Sequence, residues 1–337
     1  MEKKKILITG ASGFIGSFAV EKALELGYET WAGIRSGSSR EYLQDARIRF
    51  MELAYGDKNK LASQLRLFAA ENGKFDCIVH IAGVTKTLHQ SDFDRINFEH
   101  SKNLADALIE TDTIPACFVF MSSLSAFGAG DEKGYAPISP NDTPHPDTLY
   151  GKSKLKAEQY LQSLPDFPYI ILRPTGVYGP RDKDYLVLMK TVQRGLNVSA
   201  GFRKQILTFI HAEDLVRVIF LCIEKGVLRK ACFVADGDVY TDTEFNLIVQ
   251  NALGKKRVLR LPIPLFVIKP MAWVCEKIGG ITGKPPTLNT DKYRIMKQRN
   301  WNCDVSDLKS DLGFNPRYRL KEGVENTVAW YKKEGWL

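Results

Sequence analysis

Near its start the chain reads Lys5-Ile6-Leu7-Ile8-Thr9-Gly10-Ala11-Ser12-Gly13-Phe14-Ile15-Gly16. Residues 5–9 form a short continuous apolar run of the kind found in buried parallel strands. Three glycines follow at once, two residues separating each from the next, and a helical pattern over 18–26 stops at Gly27. Glycines at that place permit a tight turn and let backbone N–H groups and a helix N-terminus approach a pyrophosphate. The strand–turn–helix setting therefore predicts a dinucleotide-binding loop.

The same rhythm continues outward. Strands are expected over 29–34, 48–53, 75–82, 116–121 and 169–172, and helices over 60–71, 98–109 and 150–161. Such alternation predicts an α/β fold, a Rossmann-type doubly wound parallel sheet with helices on both faces. After Pro174 the pattern loosens. Residues 175–204 read as loop and one helix, 206–210 as a strand, 214–225 as a helix and 232–235 as a strand returning to the sheet. From Asp238 helices dominate, with breaks at Pro262, Pro264, Pro270 and Pro285-Pro286. The expected division is a cofactor-binding domain over 1–174, rejoined by 206–236, and a smaller, mostly helical substrate lobe from 175–205 and 237–337. The apolar stretch 261–278, with Phe266, Met271 and Trp273, reads by default as core of that lobe. A substrate lid or a membrane contact is its alternative.

Composition narrows the class. The 337 residues are 44% hydrophobic and 26% charged, as in globular chains large enough for two lobes. No apolar run approaches the ~20 residues of a spanning helix, and no signal-like segment precedes Ile6. Six scattered cysteines without a Cys-x-x-Cys pair read as buried free thiols in a reducing cytoplasm, and no metal is expected. The net charge of +8 raises the question of nucleic acid. The basic residues, however, read as dispersed among acidic ones, with a longest cationic run of three lysines. An anionic small ligand and a solvated surface account for the excess. Neither nucleic-acid binding nor integral membrane association is expected.

The end of the second strand bears on the cofactor. It reads Gly33-Ile34-Arg35-Ser36-Gly37-Ser38-Ser39-Arg40, with arginines and hydroxyls but no carboxylate. An arginine there accommodates a 2′-phosphate, which predicts NADP(H) over NAD(H). Two more places carry chemistry. The strand ending at Met121 delivers Ser122, Ser123 and Ser125 at its carboxyl end, where open α/β sheets bind ligands. Tyr150-Gly151-Lys152-Ser153-Lys154 opens a helix on which Tyr150 and Lys154 share a face. An ammonium beside a phenol, aided by the helix dipole, is expected to lower a pKa that starts near ~10. Tyr150 would then serve as an acid/base near neutral pH.

In this order, the glycine loop, the serine-ended strand and Tyr-x-x-x-Lys resemble the extended short-chain dehydrogenase/reductase family, in its NAD(P)-dependent epimerase/dehydratase group. His80-Ile-Ala-Gly83, Leu172-Arg-Pro-Thr-Gly-Val-Tyr-Gly-Pro180, Phe209-Ile-His-Ala-Glu-Asp214 and Leu312-Gly-Phe-Asn-Pro316 also match its motifs, so the resemblance spans nearly the whole chain. It implies Tyr150 as the acid/base, Lys154 on the nicotinamide ribose and Ser123 on the substrate oxygen. For the cofactor it implies Gly10, Ser12, Gly13, Phe14, Ile15 and Gly16 in the loop, then Arg35, Ser36, Arg40, Leu53 and Ala54. Ile81, Ala82, Gly83, Ser122, Pro174 and Val177 complete that set with Tyr150 and Lys154. Thr85, Ser125, Thr175, Tyr178 and Arg181 are candidates to touch substrate. A homodimer through paired helices is implied as well.

Departures narrow the subfamily. Leu53-Ala54 stands where many relatives carry an adenine-contacting aspartate, and Leu124-Ser125 where dehydratases place Asp-Glu. Gln205-Ile-Leu-Thr-Phe209 lacks the arginine common in sugar-nucleotide epimerases, and Thr175 replaces the usual asparagine after Arg-Pro. These favour a reductase acting on a small-molecule carbonyl/alcohol pair, similar to dihydroflavonol reductases or hydroxysteroid dehydrogenases. A nucleotide-sugar epimerase is the second reading and a non-catalytic NADP-binding regulator the third. His80 is expected to lie buried beside the cofactor loop, and His211 to brace a turn near Asp214.

Overall fold

The computed structural model describes residues 3–337, so expectations at Met1 and Glu2 fall outside the described residues. Up to Pro174 the strands are β1 (Lys5–Thr9), β2 (Glu29–Ile34), β3 (Arg49–Glu52), β4 (Cys77–His80), β5 (Cys117–Met121) and β6 (Tyr169–Pro174). The helices between them are α1 (Phe14–Glu25), α2 (Lys58–Asn72), α3 (Ser91–Phe93), α4 (His100–Glu110) and α5 (Leu149–Ser163). Beyond Pro174 come β7 (Gly176–Tyr178), β8 (Leu196–Ala200), β9 (Ile206–Leu207), β10 (Phe209–His211), β11 (Lys230–Val234), β12 (Tyr240–Thr241) and β13 (Leu259–Ile263). The later helices are α6 (Asp184–Gln193), α7 (Ala212–Glu224), α8 (Asp242–Ala252), α9 (Leu265–Thr282), α10 (Thr290–Lys297), α11 (Ser306–Ser310) and α12 (Leu320–Lys333).

Seven parallel strands make the central sheet, in the order β11-β6-β5-β4-β1-β2-β3. Period-two alternation divides its side chains between two cores. Ile6, Ile8, Val79 and Val119 face α1 and α7, whereas Leu7, Ile78, Phe118 and Phe120 face α2, α4 and α5. The strand order reverses between β1 and β4, and at such a point ligands bind beyond the carboxyl ends of the strands. A separate cluster around Tyr178, Met189, Phe209, Phe245, Val324 and Tyr331 is the core of the later part.

Four local expectations change. The first helix starts at Phe14, one residue after the glycine turn, not at Phe18. The helix expected over 98–109 is preceded by α3 and a π-helical turn, Asp94–Glu99. The strand expected over 206–210 breaks at Thr208, whose hydroxyl donates to the Trp301 carbonyl at 2.7 Å. Its halves pair with β12 and β7 outside the main sheet, and only β11 rejoins it. Finally, the stretch 261–278 is not core. Within α9 only Ile268, Ala272 and Gly279 are buried, because the helix packs on one side alone.

Candidate active site

The glycine loop has the geometry its sequence demanded. Gly10 sits at φ +67°, and a Cβ there would lie 2.8 Å from the Ala82 nitrogen. A Cβ on Gly16 would meet the Gly10 carbonyl at 2.1 Å, so the turn closes only with glycine at both places. Gly13 is the N-cap of α1 and offers no side-chain cap, and the first turn holds no acid. The unsatisfied N–H groups and positive dipole end of a twelve-residue helix thus face the crevice beyond β1, a fit for a pyrophosphate. Thr9 secures the wall. Its hydroxyl accepts from the Ala82 nitrogen at 3.2 Å and meets His80 Nδ1 at 2.8 Å. His80 is fully buried, reaches Ser101 through Nε2 at 2.9 Å, and is pushed down to about 3 chiefly by desolvation.

At the end of β2, Arg35 is exposed and makes no ion pair among the described residues, while its N–H donates to Ser38 Oγ at 3.1 Å. Arg40 lies over the Phe50 ring at 4.1 Å. Leu53 is buried under Gly33, and Ala54 donates to Gln64 at 3.0 Å. Asp57 caps α2 through the Lys60 N–H.

The hydroxyl set comes together at the carboxyl end of β5. Ser123 lies two residues past the end of the strand, caps the 3-10 turn Leu124–Ala126, and its hydroxyl acts on the Tyr150 phenol. What brings α5 so close is Gly151. A Cβ on it would fall 2.1 Å from the Ser125 carbonyl oxygen, so no larger residue lets the helix touch that turn. Thr148 Oγ1 accepts from the Gly151 N–H at 2.9 Å, and the Asp291 carboxylate accepts from the N–H groups of Leu149 and Tyr150, both at 3.0 Å. The N-terminus of the Tyr150 helix is therefore already neutralised by a carboxylate from α10, contrary to the expected dipole help.

Lys154 also differs from expectation. Its ammonium donates to the Met121 carbonyl at 2.8 Å, lies 5.0 Å above the Phe120 ring, and would be 3.1 Å from a Cβ on Gly83. Desolvation lowers it to about 8, against the pull of Glu158. Burial raises the Tyr150 phenol, and the Ser123 hydroxyl draws it back. Lys154 thus faces the ends of β4 and β5 beside Gly83, and the phenol is not lowered by it here.

Beneath the site lies a buried ion pair. Glu158 accepts from Arg173 Nε and Nη2 at 2.7–3.1 Å, and Arg173 is flanked by Phe127 at 4.4 Å and Phe233 at 5.6 Å. Ser122 donates its hydroxyl proton to the same Glu158 carboxylate.

The substrate candidates separate. The Ser125 carbonyl lies against Gly151 at the head of α5, and Thr85 is exposed in the loop after β4. The Thr175 hydroxyl is committed to the Val234 carbonyl at 3.3 Å. Tyr178 is fully buried in the later core with its hydroxyl toward the Arg319 carbonyl, a packing role. Arg181 turns away to α1, donating to Ser17 and Glu21 at 3.0 and 2.7 Å between the rings of Phe18 and Tyr42. His211 caps α7, accepting from the Glu213 N–H at 3.3 Å, as a turn brace does. Pro174 ends β6 in the core, and Val177 packs on the first cluster.

Two positioning residues escaped the sequence. Asn97, fully buried in the π-helical turn, accepts from the Val84 N–H at 2.8 Å and donates to the Val84 carbonyl and Ser153 hydroxyl, both at 3.0 Å. It ties the β4 loop to α5, and π-turns recur at functional sites. A lone asparagine between Ile96 and Phe98 was its available signal. Asp291 had none, lying 141 positions from Tyr150.

Comparison with known proteins bears on this arrangement. The model of the NAD dependent epimerase/dehydratase family matches residues 6–233. A ceramide reductase of Caulobacter vibrioides is 25% identical over 336 residues, covering 98% of this chain and 96% of that protein. A UDP-glucose 4-epimerase of Vibrio cholerae is 27% identical over 338 residues, covering 96% and 94%. The Bordetella bronchiseptica enzyme WbmG, solved in complex with NAD and UDP, shares the fold with a TM-score of 0.77 at 21% identity, covering 99% of this chain and 97% of its own.

Proposed function

The chain belongs to the NAD dependent epimerase/dehydratase family, enzymes of the extended short-chain dehydrogenase/reductase type, and from that footing we propose an NADP(H)-preferring oxidoreductase. It acts on the carbonyl/alcohol carbon of a small organic molecule. The observation that carries this is the buried Tyr150 phenol with the Ser123 hydroxyl acting on it just beyond the carboxyl end of β5, and Lys154 one turn along α5. Bound at the glycine loop, a nicotinamide dinucleotide supplies or takes up the hydride. Ser123 donates to the substrate oxygen, Tyr150 exchanges the proton with it, and Lys154 serves the ribose. The exposed Arg35, without an ion pair among the described residues, supports a 2′-phosphate. Leu207, in the place of an epimerase arginine, supports a substrate without a diphosphate, in line with the reductase among the relatives.

Under this reading 1–174 with 206–236 hold the cofactor, and 175–205 with 237–337 shape the substrate pocket; β11 in the main sheet and the separate later core support that division. A homodimer through paired helices is carried by the family resemblance. A cytoplasmic setting is supported by six free cysteines, five of them buried. Epimerisation without net redox is the second reading, on the strength of the Vibrio cholerae relative.

The test is oxidation of NADPH against NADH over a panel of carbonyl compounds. Tyr150→Phe is expected to abolish turnover with cofactor affinity retained, and activity persisting in that variant refutes the assignment. Equal use of NADH and NADPH, unmoved by Arg35→Ala, refutes the cofactor preference. Conversion of UDP-sugars without net cofactor change would instead establish the second reading.

A further inference from the structure

Helix α9 carries an apolar face that nothing among the described residues covers. Its buried residues, Ile268, Ala272 and Gly279, share one side, where α10 packs. The other side presents Phe266 at 78% exposure, Trp273 at 58% and Ile281 at 87%, together with Met271, Val274 and Ile278. Single exposed apolar residues are ordinary, but a continuous row along one helix marks a surface built to be covered.

Charge identifies the cover. Residues 255–284 hold seven lysines and arginines against one acid, a net +6 out of the chain's +8, so the excess is concentrated and not dispersed as expected. Lys255, Lys256, Arg257 and Arg260 precede α9, Lys269 and Lys277 lie on it, and Lys284 follows; all but the half-buried Lys255 are exposed. The one acid turns inward. The Glu276 carboxylate accepts from Gln90 Nε2 at 3.1 Å and from Thr290 Oγ1 at 2.5 Å.

We propose that α9 is an interfacial helix that docks this protein on the surface of an anionic lipid bilayer. Its apolar row enters the acyl boundary and the flanking cations sit on the headgroups, the arrangement that gives such helices their affinity. Lys277, whose ammonium lies 5.7 Å from the Trp273 ring, reaches the headgroups along its alkyl stem. The helix lies flat. Its eighteen residues span only ~27 Å and include three charges, and among the described residues no helix is long and apolar enough to cross a membrane. A second copy of the chain is the poorer occupant, because a two-fold contact sets this cationic patch against itself. The docked helix adjoins the site: α10 packs on it, and Asp291 of α10 caps the helix of Tyr150.

The proposal is independent of the reaction catalysed, so binding is tested on the full chain by flotation with vesicles. Those of phosphatidylglycerol and phosphatidylcholine in equal parts are expected to carry the protein, and phosphatidylcholine alone to carry at least ~10-fold less. Raising the salt from ~0.1 to ~1 M, which shortens the Debye length from ~10 to ~3 Å, is expected to release it. Trp273→Ser with Ile281→Ser, and separately Lys256→Glu with Arg257→Glu, should each lower binding at least ~10-fold with melting unchanged. Quenching of tryptophan fluorescence by brominated lipid should disappear in Trp273→Phe. Absence of binding to the anionic vesicles, or binding unaltered in both double variants, overturns the proposal. So does self-association in lipid-free buffer that Trp273→Ser with Ile281→Ser abolishes, which assigns the face to a second copy.

Discussion

Replacing Gly151 by alanine separates the position of the Tyr150 helix from its chemistry. The added methyl removes no functional group and, by intrinsic propensity, favours the helix by up to ~1 kcal/mol. Against that, its Cβ would lie 2.1 Å from the Ser125 carbonyl oxygen, whereas real Cβ contacts essentially never fall below 3.0 Å. Both partners are backbone, so the first turn of α5 or the serine turn must withdraw by roughly 1 Å. The displaced atoms belong to the turn that carries Ser123 and to the helix turn that carries Tyr150, so they set where the phenol lies relative to that serine. A misplacement of that size costs on the order of 10²-fold in rate, and overpacking costs about 1–3 kcal/mol in stability. Steady-state kinetics and thermal melting read the two effects, with Lys152→Ala, an exposed change on the same turn, as the control. Cofactor affinity should hold, since the glycine loop is untouched. A Gly151→Ala enzyme with wild-type kcat and a raised melting temperature would refute the argument that this close approach sets the site.

Three other outcomes follow from the structure. Asp291→Ala frees two N–H groups at the head of α5 and is expected to cost about 1 kcal/mol of stability and to lower kcat more than it raises KM; an unchanged kcat argues against a positioning role. Glu158→Ala leaves the Arg173 guanidinium buried and unpaired, a loss of about 3–5 kcal/mol by urea denaturation, whereas Glu158→Met with Arg173→Met should recover much of it; equal losses in both would contradict this account. His80 is held near 3 in the fold against 6.5 when free, so between those values the unfolded chain binds the extra proton. Stability should therefore be complete above pH 6.5 and fall as pH drops toward 3, by ~1.4 kcal/mol per unit. His80→Gln should flatten that slope in denaturant titrations at successive pH values.

Periodicity carried most of the first half of the fold. Buried runs such as 5–9 and 116–121 have one reading in an alternating chain, and two of the glycines that follow β1, Gly13 and Gly16, are constrained by Gly10, three and six residues away. The later part was less legible because its elements are defined by partners distant in sequence. Thr208 splits a strand through Trp301, 93 positions on. The stretch 261–278 has the composition of a core helix, but burial depends on what packs against it, and α9 is covered on one side alone, chiefly by α10. Tyr178 illustrates the same limit within a motif: its neighbourhood matches the family, yet Gly323 from α12 closes over its hydroxyl and makes it core.

The site itself divides along a similar line. Ser123, Tyr150 and Lys154 were legible because each stands at a fixed offset on its own element. What was not legible is how their charges meet. Spacing of i,i+4 puts Tyr150 and Lys154 on one face, but a lysine's four-carbon stem lets the ammonium choose its partner, and here it takes the Met121 carbonyl and the space under Gly83. The acid at the helix head arrives from α10 and offsets the dipole that the sequence placed there. Tyr150 is thus aligned by Gly151, Thr148 and Asp291 while its phenol stays high. Alignment and acidity are set by different residues, and lowering the phenol is left to whatever brings the Lys154 charge, about 8 and so easily held or lost near neutrality, to bear on it.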